Sequence, residues 1–253
     1  MNKTDDQENI LMPAIKAMIL AAGFGTRLKP WTDHHPKALA VVNGKTLLQR
    51  NIEYLQQYGI REVVVNVHHF AEQIIDAVNE NNGWGSNVII SYEKEEPLET
   101  GGGFLHAAKL LQNSLAILLM NVDILTDLDL GKMLNFHSAR KPLATLATTN
   151  RTSSRYFLFN KNDQLCGWRN VKTAEEKSAS PLSGNESEKA FSGIHVIDPA
   201  IFSLLTQAGK FSIVDTYLEL MKTNTVISFD HSDSQLIDVG KPESLAKAAE
   251  MFP

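Results

Sequence analysis

The chain has 253 residues, 43% hydrophobic and 21% charged, with a net charge of −5. That suits one large α/β domain or two small ones, and it argues against a general nucleic-acid or membrane-surface binder. A single cysteine, Cys166, excludes an internal disulfide and a Cys-based zinc cluster. With an acidic N-terminus unlike a signal peptide, and apolar runs too short to span a bilayer, it points to a cytoplasmic protein with no membrane partner.

In chain order, residues 1–13 read as a polar tail. Ile15 to Ala21 reads as a first buried strand, followed by a glycine-containing loop and a helix from about Lys45 to Tyr58 that stops at Gly59. Glu62 to Val67 is a Val-rich strand, Phe70 to Asn79 a helix, and Val88 to Tyr92 a third strand. Gly102 to Leu111 reads as a helix and Leu115 to Met120 as a fourth strand. Strand–helix alternation of this kind predicts an α/β, Rossmann-like, mostly parallel mixed sheet flanked by helices, with ligands beyond the carboxyl ends of the strands. Residues 14–140 form a nucleotide-binding half in this reading, and 141–253 a smaller, β-rich sugar-binding half of the same domain.

The second half is less regular. Strands are predicted over 143–149, 155–160, 165–169, 190–197 and 235–239, and helices over 199–207, over 212–222 and after Lys241. Lys172 to Lys189, rich in Ser, Glu and Lys, reads as a solvated loop, with a lid as the alternative. Asp127 and Asp129 read as turn and helix-cap residues.

The most informative segment is Leu20-Ala-Ala-Gly-Phe-Gly-Thr-Arg-Leu28, with Pro30 and Pro36-Lys37 behind it. Gly23 and Gly25 directly after a buried strand let backbone N–H groups approach an anion. Thr26 adds a hydroxyl, Arg27 a bidentate guanidinium and Lys37 a point charge, which together make a triphosphate cradle. Leu28 stands where a dinucleotide-binding turn needs its third glycine, Pro30 and Pro36 oppose an immediate helix, and the P-loop lysine pattern is absent. Asp123, at the end of the fourth strand, is suited either to ligate a hard cation or to cap a turn. Asp238, before Gly240 and a helix, reads by position as a capping residue. Thr100, Gly101 and the two glycines that follow would let a base or ribose lie against a helix start, with Thr100 as its cap, and Glu93 or Glu99 would accept a ring N–H. His195 reads as a satisfied strand histidine, and the pairs His34-His35 and His68-His69 point to opposite faces and do not chelate.

LAAGFGTRLKP…PKALA resembles the signature of the nucleotide-diphospho-sugar pyrophosphorylases, the sugar-1-phosphate nucleotidyltransferases, over nearly the whole chain. The resemblance implies Mg²⁺ as cofactor, held by Asp123 and Asp238, and two substrates, a nucleoside triphosphate and a sugar 1-phosphate. It implies that Ala21, Ala22, Gly23, Gly25, Thr26, Arg27 and Lys37 hold the triphosphate, with Arg27, Lys37 and Asp123 catalytic, and that Glu93, Thr100 and Gly101 meet the nucleoside. Phe191-Ser-Gly-Ile-His195 is similar to the sugar-contacting strand, which assigns Ser192 and Gly193 to the sugar. The family's Glu-Lys-Pro ahead of that strand is missing, so Lys172 or Arg169 is expected to replace its lysine. Val122 stands where the family has glycine, which would narrow the space at the α-phosphate. Leu98-Glu-Thr-Gly-Gly-Gly103 looks like the N-acetylmuramate-1-phosphate uridylyltransferase subfamily of cell-wall recycling, which implies UTP; mannose or heptose 1-phosphate with GTP is the alternative. An inactive nucleotide-sugar sensor is the competing class. The oligomeric state cannot be read from these residues.

Overall fold

In the computed structural model, which describes residues 14–253, the first strand is the hub of the sheet. The polar tail expected over 1–13 lies outside the described residues. Strand β1 (Lys16–Leu20) leads into a loop of three short 3-10 turns and a small hairpin, β2 (Val41–Val42) and β3 (Lys45–Thr46). Helix α1 (Leu47–Gln56) starts where the Thr46 hydroxyl accepts a bond from the Gln49 N–H, and it buries Leu47, Leu48, Ile52 and Leu55. Next come β4 (Glu62–Val67), α2 (Ala71–Glu80), β5 (Asn87–Tyr92), α3 (Glu99–His106), α4 (Ala108–Leu111) and β6 (Ile117–Asn121). Strands β6, β1, β4 and β5 lie side by side and all parallel, as the alternating pattern predicts. Their carboxyl ends therefore face one edge.

Beyond β6 the chain forms β7 (Ile124–Thr126), α5 (Leu130–Arg140), β8 (Ala144–Thr149), β9 (Arg155–Phe159), β10 (Leu165–Asn170) and β11 (Glu175–Ser178). It ends with β12 (Ser187–Ile197), α6 (Ile213–Leu220), β13 (Val226–Asp230), β14 (Leu236–Asp238) and α7 (Pro242–Met251). The long β12 joins the two halves. It runs antiparallel to β6 through Ile194–Ile197, to β9 through Ser187–Lys189, and to β8 over most of its length. One ten-stranded mixed sheet results, parallel in the first half and largely antiparallel in the second. Two hydrophobic clusters form its core, one including Ile19, Val65 and Leu118, the other Met18, Phe104 and Tyr217.

Several elements depart from expectation. Strand β11 and the start of β12 occupy the stretch expected as a loop, because Glu175–Ser178 pairs with β10 although all four residues are exposed. The helix expected over 102–111 begins at Glu99 and breaks at Ala107, so its glycines lie inside the helix. The helix expected over 199–207 is a single 3-10 turn, Pro199–Ser203. Strands β7 and β13 had no counterpart in the sequence reading. Asp129 does cap α5, its carboxylate accepting from the Lys132 N–H, whereas the Asp127 carboxylate accepts from the Gln235 N–H and ties the segment after β7 to the one before β14.

Candidate active site

Three adjacent parallel strands end in one buried polar chain. The Ala21 N–H after β1 donates to Asn66 Oδ1 at 2.7 Å, and Asn66 Nδ2, near the end of β4, donates to Glu93 Oε1 at 2.7 Å. Glu93, just past β5, accepts from the Leu98 N–H on its other oxygen at 2.8 Å. Both carboxylate oxygens thus already hold protein donors, so Glu93 fastens the strand ends and the α3 approach together. Asn66 was not singled out from sequence, although an Asn inside a Val run ending at the ligand edge is a usable signal.

The loop after β1 folds back on itself. Gly25 has φ of 62°, and a Cβ there would stand 2.9 Å from Thr32 Cγ2 and 3.1 Å from Lys37 Cβ. The Thr32 hydroxyl donates to the Gly25 carbonyl at 2.9 Å, and the Leu28 N–H to the same oxygen at 2.8 Å. This tight fold brings Lys37 into the lining of a cleft of about 400 Å³, while Gly25, Thr26 and Arg27 lie outside that lining. Ala21, Ala22, Gly23 and Lys37 line it from the first loop; Glu93 and Thr100 line it from the second, and Asp123 from the end of β6.

The two aspartates meet through a separate two-stranded sheet. Strand β14 pairs antiparallel with β7 so that Asp238 lies opposite Ile124, beside Asp123, and the Val239 N–H donates to the Asp123 carbonyl at 2.8 Å. Lys37 pairs with Asp123, and Arg27 Nη2 with Asp238 Oδ2 at 3.3 Å. Gly240 makes room for this: a Cβ there would lie 2.5 Å from Arg27 Nη2 and 2.6 Å from Asp238 Oδ1. Burial pushes the Asp238 carboxyl above its ordinary value, and the Asp123 charge adds to that, with Arg27 and Lys37 opposing. A pair of carboxylates that repel each other, one of them lining the cleft, fits a divalent cation. Among the described residues no group of three or more His, Cys, Asp or Glu side chains is arranged to hold a metal. Two protein oxygens with the remaining positions left to phosphate and water is the donor set Mg²⁺ prefers. Val122 packs in the core, 2% exposed, and also borders the cleft beside Asp123.

Not every predicted residue comes to the cleft. Gly101 is covered by Phe211, whose ring a Cβ would meet at 2.4 Å, and Thr100 accepts a bond from the Ile213 N–H instead of capping α3. Gly193, with φ of 76°, sits in a bulge of β12, where a Cβ would stand 2.7 Å from Asn121 Nδ2. Asn121 itself lines the cleft. Ser192 turns the other way, buried and hydrogen-bonded with His231 Nε2 at 2.8 Å. Lys172 lies in the exposed β10–β11 turn and does not line the cleft, and Arg169 is held by Glu176 and Glu188. His195 is bonded to the Tyr217 hydroxyl at 2.8 Å, and burial pushes its pKa down to about 3. Lys210 lines the cleft from the loop before α6, a placement with no local sequence signal. A second hollow of about 530 Å³, bordered by α1, β7 and Phe252, contains none of the predicted residues. Its cations Lys45 and Arg50 bond to Glu53 and the Val42 carbonyl.

A sheet of this topology, with cations and paired carboxylates at its strand ends, defines a nucleotide-handling transferase, and the chain belongs to the nucleotidyl transferase family, whose model matches residues 16–252. Its relatives are sugar-1-phosphate nucleotidyltransferases. It is 30% identical to an N-acetylmuramate alpha-1-phosphate uridylyltransferase of Neisseria meningitidis over 89% of this chain and 93% of that protein. It is 27% identical to a mannose-1-phosphate guanyltransferase of Pichia angusta over 90% of this chain and 62% of that one. Among solved structures it is similar to HddC from Yersinia pseudotuberculosis complexed with GMP-PN, with a TM-score of 0.76 and 25% identity over 96% of this chain and all of that one. No helix among the described residues is long and apolar enough to cross a membrane.

Proposed function

We propose that the chain transfers a uridylyl group from UTP to N-acetylmuramate 1-phosphate and releases pyrophosphate. One observation carries the reaction type: Lys37 and Arg27 stand opposite Asp123 and Asp238 where the parallel strands end. The uridylyl relative, matched over nearly the full length of both chains, supports the choice of substrates. A guanylyl transfer from GTP to mannose or heptose 1-phosphate is the second reading, favoured by the guanyltransferase relative and by the neighbour complexed with GMP-PN.

In this reading a phosphate oxygen of the sugar 1-phosphate attacks the α-phosphorus in line. The bond from that phosphorus to the bridging oxygen breaks, and pyrophosphate leaves with the electron pair. The nucleophile is already an anion, so the protein needs no general base, and its task is to hold two anions together. Backbone N–H groups around Gly23, with Arg27 and Lys37, offset charge on the departing pyrophosphate. Asn66 and Glu93 hold the loop ends at fixed separation. A divalent cation on Asp123 and Asp238 would supply positive charge at the α-phosphate.

The test is pyrophosphate release with Mg²⁺, crossing five nucleoside triphosphates with N-acetylmuramate, mannose and heptose 1-phosphates. Release with UTP and N-acetylmuramate 1-phosphate alone is expected; release only with GTP selects the second reading. Silence across the panel with nucleotide binding intact would return the sensor alternative. Asp123→Asn and Asp238→Asn should each abolish release while circular dichroism stays unchanged, and a normal rate in either would remove it from the metal assignment.

A further inference from the structure

Residues 209–213 form a strap laid across the start of α3. The Gly101 and Gly102 N–H groups both donate to the Phe211 carbonyl, at 2.9 and 3.1 Å, and the Phe211 N–H returns a bond to the Leu98 carbonyl at 3.2 Å. The Ile213 N–H closes the strap on Thr100 Oγ1 at 3.0 Å. Gly209, at φ of 69°, turns the chain into this position, and its carbonyl sits so close to α3 that a Cβ on Gly102 would lie 2.2 Å from it. Four hydrogen bonds and a run of glycines therefore fix a segment with one outward-reaching charged residue, Lys210.

The cleft has two lysines in its lining, Lys37 and Lys210. Lys37 enters from the loop after β1 and is paired with Asp123. Lys210 enters from the strap, beside Thr100 and Glu99, and its ammonium takes part in no ion pair among the described residues. The reaction brings a second phosphate anion up to a nucleotide whose own phosphates take the cations of the first loop. That second anion needs a cation of its own, because like charges at a few ångströms in a partly enclosed site repel strongly. Lys172 and Arg169, expected from sequence to supply it, are outside the cleft or held by Glu176 and Glu188.

We propose that Lys210, presented by the strap, is the cation that receives the phosphate of the sugar 1-phosphate. This rests on the nucleotidyl-transfer reading above. It assigns the strap a purpose: α3 and the Lys210 loop are locked so that the second substrate's phosphate is held at a set place relative to Asp123. A lysine on a free loop would supply charge without position.

The test is two-substrate kinetics on the full chain with Mg²⁺, using UTP with N-acetylmuramate 1-phosphate and GTP with mannose 1-phosphate. Lys210→Ala should raise the KM for the sugar phosphate by about tenfold or more, while the KM for the triphosphate changes by less than about twofold. Lys210→Arg should recover most of the loss, and Lys222→Ala, an exposed lysine outside the cleft, should behave as wild type. Equal KM values for the sugar phosphate in wild type and Lys210→Ala overturn the proposal, as does a rise confined to the triphosphate. Calorimetry separates its failure from that of the underlying reading. A wild-type chain that binds neither sugar phosphate in the presence of its nucleotide removes nucleotidyl transfer and this proposal together. A wild type and a Lys210→Ala variant that bind equally well remove this proposal alone.

Discussion

Gly23-Phe-Gly25 after β1 and Gly101-Gly-Gly103 in α3 look in sequence like two versions of one device, but only Gly23 and Phe24 of these line the cleft. A Cβ on Gly23 would meet nothing within 4 Å. One on Gly101, Gly102 or Gly103 would stand 2.4 Å from the Phe211 ring, 2.2 Å from the Gly209 carbonyl or 2.4 Å from Glu93 Oε1. In the first segment Gly23 leaves open space while Gly25 is packed against Thr32 and Lys37, and the second segment is filled throughout by the protein itself. Glycine therefore marks close approach without saying what approaches, and the partner is decided by segments far away in sequence.

The open side should lose function and keep its fold. Arg27→Ala is expected to lower kcat/KM for the triphosphate by about a hundredfold, roughly 2.7 kcal/mol of transition-state stabilisation, with thermal stability unchanged. Arg27 makes one exposed ion pair to Asp238, and such a pair contributes little to folding. Arg140→Ala, which removes a guanidinium stacked on Phe136 at 4.7 Å, is the control and should leave kcat/KM alone. Equal losses in the two variants would sink the cradle.

The filled side should do the reverse. Gly102→Ala gains about 0.5–1 kcal/mol of helix propensity, but it forces the Gly209 carbonyl away, and overpacking of that kind costs roughly 1–3 kcal/mol. The displaced strap also risks its bonds to Phe211, so a net loss of about 2 kcal/mol is expected by denaturant unfolding. Unchanged stability with a raised KM for the triphosphate would show that Gly102 faces ligand, and the contrast would collapse. Gly23→Ala is the matching change on the open side. The φ of Gly23 is not positive, so alanine fits the backbone. Stability should stay within about 0.5 kcal/mol while the KM for the triphosphate rises about tenfold, because the methyl group stands where phosphate oxygens approach the backbone.

The same contrast explains what could be read from sequence. Strands β1, β4 and β6 are buried on both faces, so they appear as apolar runs, and their carboxyl ends with that of the edge strand β5 locate Ala21, Glu93 and Asp123 at the cleft. The two aspartates were legible only through a family resemblance, since each is equally plausible as a cap, and it is the pairing of β14 with β7 that brings them together. Strand β11 carries no apolar signal: Glu175–Ser178 is exposed throughout and held by backbone pairing to β10 and by Arg169–Glu176. Lys172, expected at the sugar from the stretch that stands for the missing Glu-Lys-Pro, lies in the exposed β10–β11 turn and does not line the cleft. Ser192 was misplaced by one residue of a bulge, which turns Gly193 toward Asn121 and sends the serine to His231. Lys210 could not be seen at all, because its position depends on Leu98 and Thr100, which are distant in the chain.

The smallest expected effect tests the joint between the two sides. Thr100 lines the cleft, yet its hydroxyl accepts the Ile213 N–H at 3.0 Å. If Thr100 belongs to the filled side, Thr100→Val keeps its shape and removes one hydrogen bond, at a cost of about 1 kcal/mol, while the KM for the triphosphate stays put. Thr100→Ser, which keeps the acceptor, should then recover most of the stability. If the hydroxyl instead serves the nucleotide, the KM for the triphosphate rises in Thr100→Val and stability does not move. A change in both would mean that the strap and the nucleotide share the residue, so that ordering of residues 209–213 depends on whether the cleft is filled. Hydrogen exchange at the Ile213 amide, with and without the triphosphate, distinguishes this third case: protection that rises on nucleotide binding in wild type and is absent in Thr100→Val would make Thr100 the link between the open segment and the filled one.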